Sequence, residues 1–234
     1  MYNKIINLDT VGRVAEGLKE LRGDMVFIGG AVISLYTDDP AADEIRPTQD
    51  VDLTINLGNG YAKIVQMNER LSELGFNPTH EGKSICRYQY DGIDVDIMPA
   101  SDTAIGPSNK WYLPGFDNLE QVTLENGLEI NLLPAPYFLA TKFEAFKDRG
   151  DGDYRGSADF EDIIYVLDNR TTIVEEILGA DPEVKNFLQN EFHGILENPA
   201  ADEILSMHIH PLVVGERFPI MMEKLKTIII EQAK

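Results

Sequence analysis

The chain carries the same alternation of carboxylate and apolar residue twice, as Asp50-Val-Asp52-Leu and as Asp94-Val-Asp96-Ile. In an extended strand residues i and i+2 project from one face, so Asp50 and Asp52 point together while Val51 and Leu53 turn toward a core. If the second stretch lies in the neighbouring strand, about 5 Å away, three or four carboxylates share one small patch. Like charges that close raise one another's pKa or push apart. A bound divalent cation removes the conflict, so the pattern predicts a sheet with an acidic face and a cation on it.

Composition sets the outer limits. With 234 residues and 43% hydrophobic content the chain reads as soluble and globular, of one large or two modest domains. No stretch approaches the roughly 18 consecutive apolar residues of a membrane span, so no membrane partner is expected. The start, Met1-Tyr-Asn-Lys-Ile-Ile, lacks the basic-then-apolar pattern of a signal peptide. The single cysteine, Cys86, permits no internal disulfide, which fits a reducing cytoplasm. Forty acidic against twenty basic residues give a formal charge of −20, a field that works against long-range steering of nucleic acid.

Taken in order, Asp9 or Thr10 can cap a first helix whose Val11, Val14, Leu18 and Leu21 recur at helical spacing, with Gly23 closing it. Met25 to Ile28 reads as a short buried strand, and Gly29-Gly30 leads into a helix over Ala31 to Tyr36. Strand, glycines and helix start present free backbone N–H groups and a positive dipole end, which suit a phosphate. The polar stretch from Thr37 to Pro47 is a loop that delivers Arg46-Pro-Thr48 directly before the first acidic strand. Arg46 can neutralise one of the carboxylates or contact a substrate phosphate.

Tyr61 to Leu74 forms a helix with Gly75 as its C-cap, followed by strands at 76–79, 84–90 and 93–98, the last two joined by a tight turn at Asp91-Gly92. A long Gly- and Pro-containing loop spans Pro99 to Asp117, with Trp111 and Tyr112 packing it down or stacking on a base. A hairpin over Val122 to Leu132 turns at Asn126-Gly127. Beyond Leu133-Pro-Ala-Pro136 the pattern is helical: 137–149, 158–167 capped by Ser157, 171–178, 182–196 and 218–232. The expected class is α+β, with a mixed sheet flanked by helices in a domain 1–133 and a helical domain 134–234.

Hard oxygen ligands on rigid strands favour Mg²⁺ or Mn²⁺ over Zn²⁺. Two such ions about 4 Å apart can activate an attacking hydroxyl and stabilise a leaving pyrophosphate. With a glycine turn to receive a triphosphate, nucleotidyl transfer is the natural chemistry. His208 and His210 lie at strand-like spacing without a third ligand and read as surface or packing residues.

Gly29-Gly30, then Arg46-Pro-Thr-Gln-Asp50-Val-Asp52-Leu, then Asp94-Val-Asp96-Ile-Met-Pro99 resemble, in this order, the motifs of the DNA polymerase beta-like nucleotidyltransferase superfamily. The resemblance is greatest to its AbiEii-type abortive-infection toxins. Lys142 in Thr-Lys-Phe-Glu-Ala and the run Ser157-Ala-Asp159-Phe-Glu-Asp162-Ile are similar to that branch's Lys-bearing and Asp-rich helices.

The resemblance implies a nucleotidyltransferase-type sheet and a metal-dependent transfer of a nucleoside monophosphate from an NTP, ATP included, to a hydroxyl. It makes Asp50, Asp52 and Asp96 both catalytic residues and ligands of Mg²⁺ or Mn²⁺, with Asp96 drawing the acceptor proton and Asp94 as its substitute. Gly29, Gly30, Arg46 and Thr48 would contact the nucleotide, and Lys142 would reach the triphosphate across a cleft between the domains. The acceptor could be tRNA, protein or a small molecule, and an antitoxin protein is a candidate partner. The alternatives are a transferase acting on an antibiotic-like small molecule and a non-catalytic module that binds nucleotide or protein on the same fold.

Overall fold

The computed structural model describes residues 2–58, 61–79, 86–101 and 108–230. In chain order its main elements begin with α1 (Tyr2–Leu18), β1 (Met25–Ile28), β2 (Asp50–Ile55), α2 (Tyr61–Glu73), β3 (Asn77–Pro78), β4 (Arg87–Tyr90) and β5 (Ile93–Pro99). They continue with α3 (Tyr112–Gly115), β6 (Glu120–Thr123), β7 (Glu129–Leu132), α4 (Ala135–Arg149), α5 (Ala158–Asn169), α6 (Ile173–Gly179), α7 (Pro182–Leu196), α8 (Ala201–Ser206) and α9 (Val214–Ile230). The fold is α+β. Among the described residues one mixed sheet has the order β3-β4-β5-β2-β1-β7-β6.

By its internal contacts the chain divides into two units, Met1–Leu35 with Glu44–Pro134 and Tyr36–Asp43 with Ala135–Lys234. The first unit contains the whole sheet. β2 pairs with β5 in parallel and with β1 in antiparallel, which places it at the centre. Because side chains alternate across a strand, Phe27, Val51, Leu53, Val95 and Ile97 fall on one face, and all are buried. The acids take the other face.

Local sequence explains the supporting helices. In α1, Val11, Val14, Ala15 and Leu18 sit at one helical stripe and are fully buried. In α2 the stripe is Ile64, Met67 and Leu71. Its end is a Schellman closure, in which Gly75 N–H donates to Ser72 O and Phe76 N–H to Leu71 O. Phe76 is buried and stacks on Tyr90 with ring centroids 4.3 Å apart.

The second unit packs Phe138, Phe143, Phe160 and Phe192, all almost wholly buried, between α4, α5 and α7. The segment 36–43 belongs with these helices through polar ties. Asp38 accepts from the backbone and hydroxyl of Thr171, and Arg217 pairs with both Asp39 and Asp168. Tyr36 adds a ring stack on Phe138 at 4.1 Å.

Several elements depart from the sequence expectation. Helix α1 starts at Tyr2, so Asp9 and Thr10 lie inside it rather than capping it. Buried Asn7 extends the Val11-Val14-Leu18 stripe backwards and is satisfied by a loop, which lets a polar residue occupy a core position. The helix ends at Leu18 and passes into a 3-10 segment Lys19–Asp24, ahead of the expected stop at Gly23. Gly30–Tyr36 is a 3-10 segment of seven residues in place of an α-helix, too short to build a dipole of any size.

The strand expected at 76–79 pairs only over Asn77–Pro78, and of the strand expected at 84–90, Ser84 and Ile85 lie outside the described residues. The long loop contains α3, with Trp111 and Tyr112 packed inside; its residues 102–107 lie outside the described set. The last helix begins at Val214 and runs through Pro219 instead of starting at Phe218, and α8 was not expected. Ser157 caps α5 as expected, accepting from Phe160 N–H at 3.3 Å.

Candidate metal centre

The centre is built by strand register. Parallel pairing sets Asp50 beside Asp94 and Asp52 beside Asp96, so two acid rows lie next to each other on one face. One oxygen from each of Asp50, Asp52 and Asp96 lies within 4.8 Å of the others. Asp94 is in the adjoining pair but outside that trio, which separates it geometrically from Asp96. Burial grades the set: Asp96 is 6% exposed, whereas Asp50, Asp52 and Asp94 are half-buried.

The diglycine turn adjoins the same patch. β1 ends with Ile28 opposite Asp52, and Gly29 follows with φ +76°. A Cβ at Gly29 would overlap the Asp52 carboxylate and stand 2.8 Å from its Cγ. At Gly30 a Cβ would stand 2.8 Å from Thr48 Cγ2 and 3.1 Å from an Arg46 guanidinium nitrogen. Backbone, Arg46, Thr48 and Asp52 thus crowd into one corner. Asn7 holds that corner from α1, donating to Arg46 O at 3.2 Å and accepting from Thr48 N–H at 3.1 Å.

Gly29→Ala is therefore expected to cost about 2 kcal/mol for the left-handed backbone and the displaced carboxylate. It should also weaken Mn²⁺ binding at the acids. Gly58, also at positive φ but with open space around it, is the control: Gly58→Ala should cost only about 1 kcal/mol and leave Mn²⁺ binding intact. Urea denaturation and Mn²⁺ titration separate the two.

Arg87 completes the patch and was not singled out by the sequence. It lies opposite Asp96 in the β4–β5 hairpin and grips it with Nε to Oδ1 at 2.8 Å and Nη2 to Oδ2 at 2.7 Å. The same guanidinium is 3.5 Å from Asp50 and 4.0 Å from Asp94. Hydrogen bonding to Asp96 holds Arg87 well above its ordinary pKa, so it stays a cation throughout. A signal for it existed: counting outward from the two-residue turn Asp91-Gly92 sets Arg87 across from Asp96. Asn7 carried no such signal. Next to Arg87, the Cys86 thiol is pushed up, first by burial and then by the Asp96 charge, and is a packing residue.

The residues fit a hard divalent cation. All donors are carboxylate oxygens that lie within 4.8 Å of one another, and the Gly29 backbone packs against the Asp52 carboxylate. Among the described residues no other group of acids, His and Cys meets the geometry of a metal site. His208 accordingly pairs its Nε2 with Tyr154 O at 2.8 Å and sets its ring against Phe160.

Lys142 lies in the helical unit, 6% exposed. Its Nζ is 2.6 Å from Asp162 and 3.2 Å from Asp159, and Arg149 makes a bidentate pair with Asp159 at 2.7 and 2.9 Å. Burial would push Asp159 up, but the Arg149 hydrogen bonds and the Lys142 charge outweigh it, and its carboxyl lies below the ordinary value. Asp159 and Asp162 are therefore ion-paired side chains rather than mere complements to the α5 dipole.

No family model matches this chain, and neither does any curated protein.

Proposed function

We propose that the chain is a divalent-cation-dependent nucleotidyltransferase of the DNA polymerase beta-like kind, moving a nucleoside monophosphate from an NTP to a hydroxyl. The observation that carries this reading is the diglycine backbone packed against Asp52 in a sheet where Asp50, Asp52 and Asp96 converge. Acids alone would make only a charged surface; the Gly29-Gly30 backbone packed beside them is what would receive a phosphate. The motif resemblance supports the AbiEii-type branch in particular.

In this reading Asp50, Asp52 and Asp96 hold Mg²⁺ or Mn²⁺. Ions held there would lower the cost of forming the attacking alkoxide and of charge on the departing pyrophosphate. The acceptor oxygen bonds to the α-phosphorus, the bond from α-phosphorus to the bridging oxygen breaks, and pyrophosphate leaves. Asp96, the most buried of the three, takes the acceptor proton. Gly29 and Gly30 offer backbone N–H groups to the phosphates, and Arg46 and Thr48 flank them from the next loop. Lys142 enters from the resemblance alone, since its amine is engaged by two buried carboxylates.

The charge of −20 favours a small hydroxylated acceptor or a protein over a polyanion, with tRNA recognition needing a basic patch to overcome it. An antitoxin protein would be a partner if the acceptor is an essential cell component. Incubation with α-labelled NTPs, Mg²⁺ and a cell extract tests the reading. Label in one macromolecule or metabolite, with matching pyrophosphate release, is expected; no transfer from any of the four NTPs with either cation contradicts it.

A further inference from the structure

We propose that Arg87 is a built-in counter-ion of the acid cluster that a divalent cation displaces. This rests on the transferase reading and adds to it a rule for how the centre is loaded. Four carboxylates lie on one face in two adjoining strands, and one guanidinium stands within 4.0 Å of three of them. Without a positive charge there, the acids repel. Arg87 supplies it.

The same contacts oppose a metal. Both oxygens of Asp96 are taken up by Arg87 Nε and Nη2. A cation bound to Asp50, Asp52 and Asp96 would have only the remaining lone pairs of Asp96 to use and would stand beside a full positive charge. The Arg87 side chain is 29% exposed and that of Asp96 only 8%, so the guanidinium covers the acid and has solvent to move into. Loading therefore swaps one cation for another. The pair with Asp96 opens, Asp96 turns to the metal, and the released guanidinium, still tethered beside the centre, becomes free to meet an anionic phosphate. Because the guanidinium's charge and its hold on Asp96 both work against a metal there, the resting pair weakens apparent metal affinity.

Mn²⁺ titration of the nucleotide-free protein, read as free Mn²⁺ by electron paramagnetic resonance, tests the exchange without reference to activity. A charge-assisted bidentate pair is worth roughly a factor of ten or more in a competing equilibrium. Arg87→Gln should thus bind Mn²⁺ about tenfold tighter than the wild type. Arg87→Lys, which keeps the charge and loses the planar fork, should fall between and guards against a folding defect. The Arg87→Gln protein should also melt lower than wild type without Mn²⁺ and gain more from adding it.

Asp52→Asn in the Arg87→Gln background should remove the tight binding, which locates the ion at the cluster. Equal or weaker binding by Arg87→Gln, with wild-type binding present, overturns the exchange and leaves the transferase reading standing. Absence of Mn²⁺ binding at the cluster in both proteins overturns both.

Discussion

Asp52→Asn should lower nucleotidyl transfer by about three orders of magnitude or more while leaving the melting temperature unchanged or raised. The two effects have one cause. Asp52 is a member of a trio whose oxygens lie within 4.8 Å, and under the proposed function losing one ligand would forfeit several kcal/mol of charge stabilisation in the transition state, at about 1.4 kcal/mol per tenfold. The same substitution removes a negative charge from a crowded patch, which relieves repulsion in the resting protein. An ordinary solvated strand residue would show neither effect. Rates of pyrophosphate release and a thermal melt on the same preparation check both halves, and a variant with wild-type turnover would remove Asp52 from the centre.

Lys142→Met should destabilise the helical unit by about 3–5 kcal/mol, the cost of stranding buried charge. Asp159 is 4% and Asp162 2% exposed, and the Lys142 amine stands between them and pairs with both. Against a total stability of roughly 5–15 kcal/mol for a domain, the loss is severe. Lys142→Met with Asp162→Leu should recover most of it, because removing both charges leaves less unpaired than removing one. Urea denaturation followed by circular dichroism measures each step. If the double variant is no more stable than Lys142→Met, the ion pair is not what the helices depend on.

The Asp159 carboxyl also sets a pH dependence. Its pKa is lower folded than unfolded because Arg149 and Lys142 favour the charged form. The unfolded chain therefore binds the proton more readily. The stabilisation is complete above the ordinary carboxylate value near 4 and is lost as pH falls through the lower folded value. Chemical denaturation at a series of pH values below 5 should show this loss, and Asp159→Asn should flatten it.

Period-two alternation made the acidic strands readable before any coordinates, because it forces Asp50 with Asp52 and Asp94 with Asp96 whatever the surroundings. What alternation could not supply was the partner of each strand. The parallel register of β2 on β5, which sets Asp96 beside Asp52, comes from long-range packing of Val51, Leu53, Val95 and Ile97. Gly75, Ser157 and the Asp91-Gly92 turn were readable because each acts within a few residues of itself.

Asn7 was hidden for the opposite reason. Its hydrogen bonds reach 39 and 41 residues along the chain, and a polar residue on an apolar helical stripe has no local meaning. The segment 36–43 likewise reads as a loop until Asp38 and Asp39 meet Thr171 and Arg217. Lys142 was picked out by similarity of motif, and its pairing with Asp159 and Asp162 by no pattern in the sequence at all.

Crystals grown with Mn²⁺ and a non-hydrolysable NTP analogue, with the metal located by anomalous scattering, decide whether the acids and the diglycine turn form one site. The account predicts manganese about 2 Å from carboxylate oxygens of Asp50, Asp52 and Asp96, phosphates against the Gly29-Gly30 backbone, and Arg87 withdrawn from Asp96. Manganese elsewhere, or nucleotide phosphates bound away from the diglycine, would contradict it.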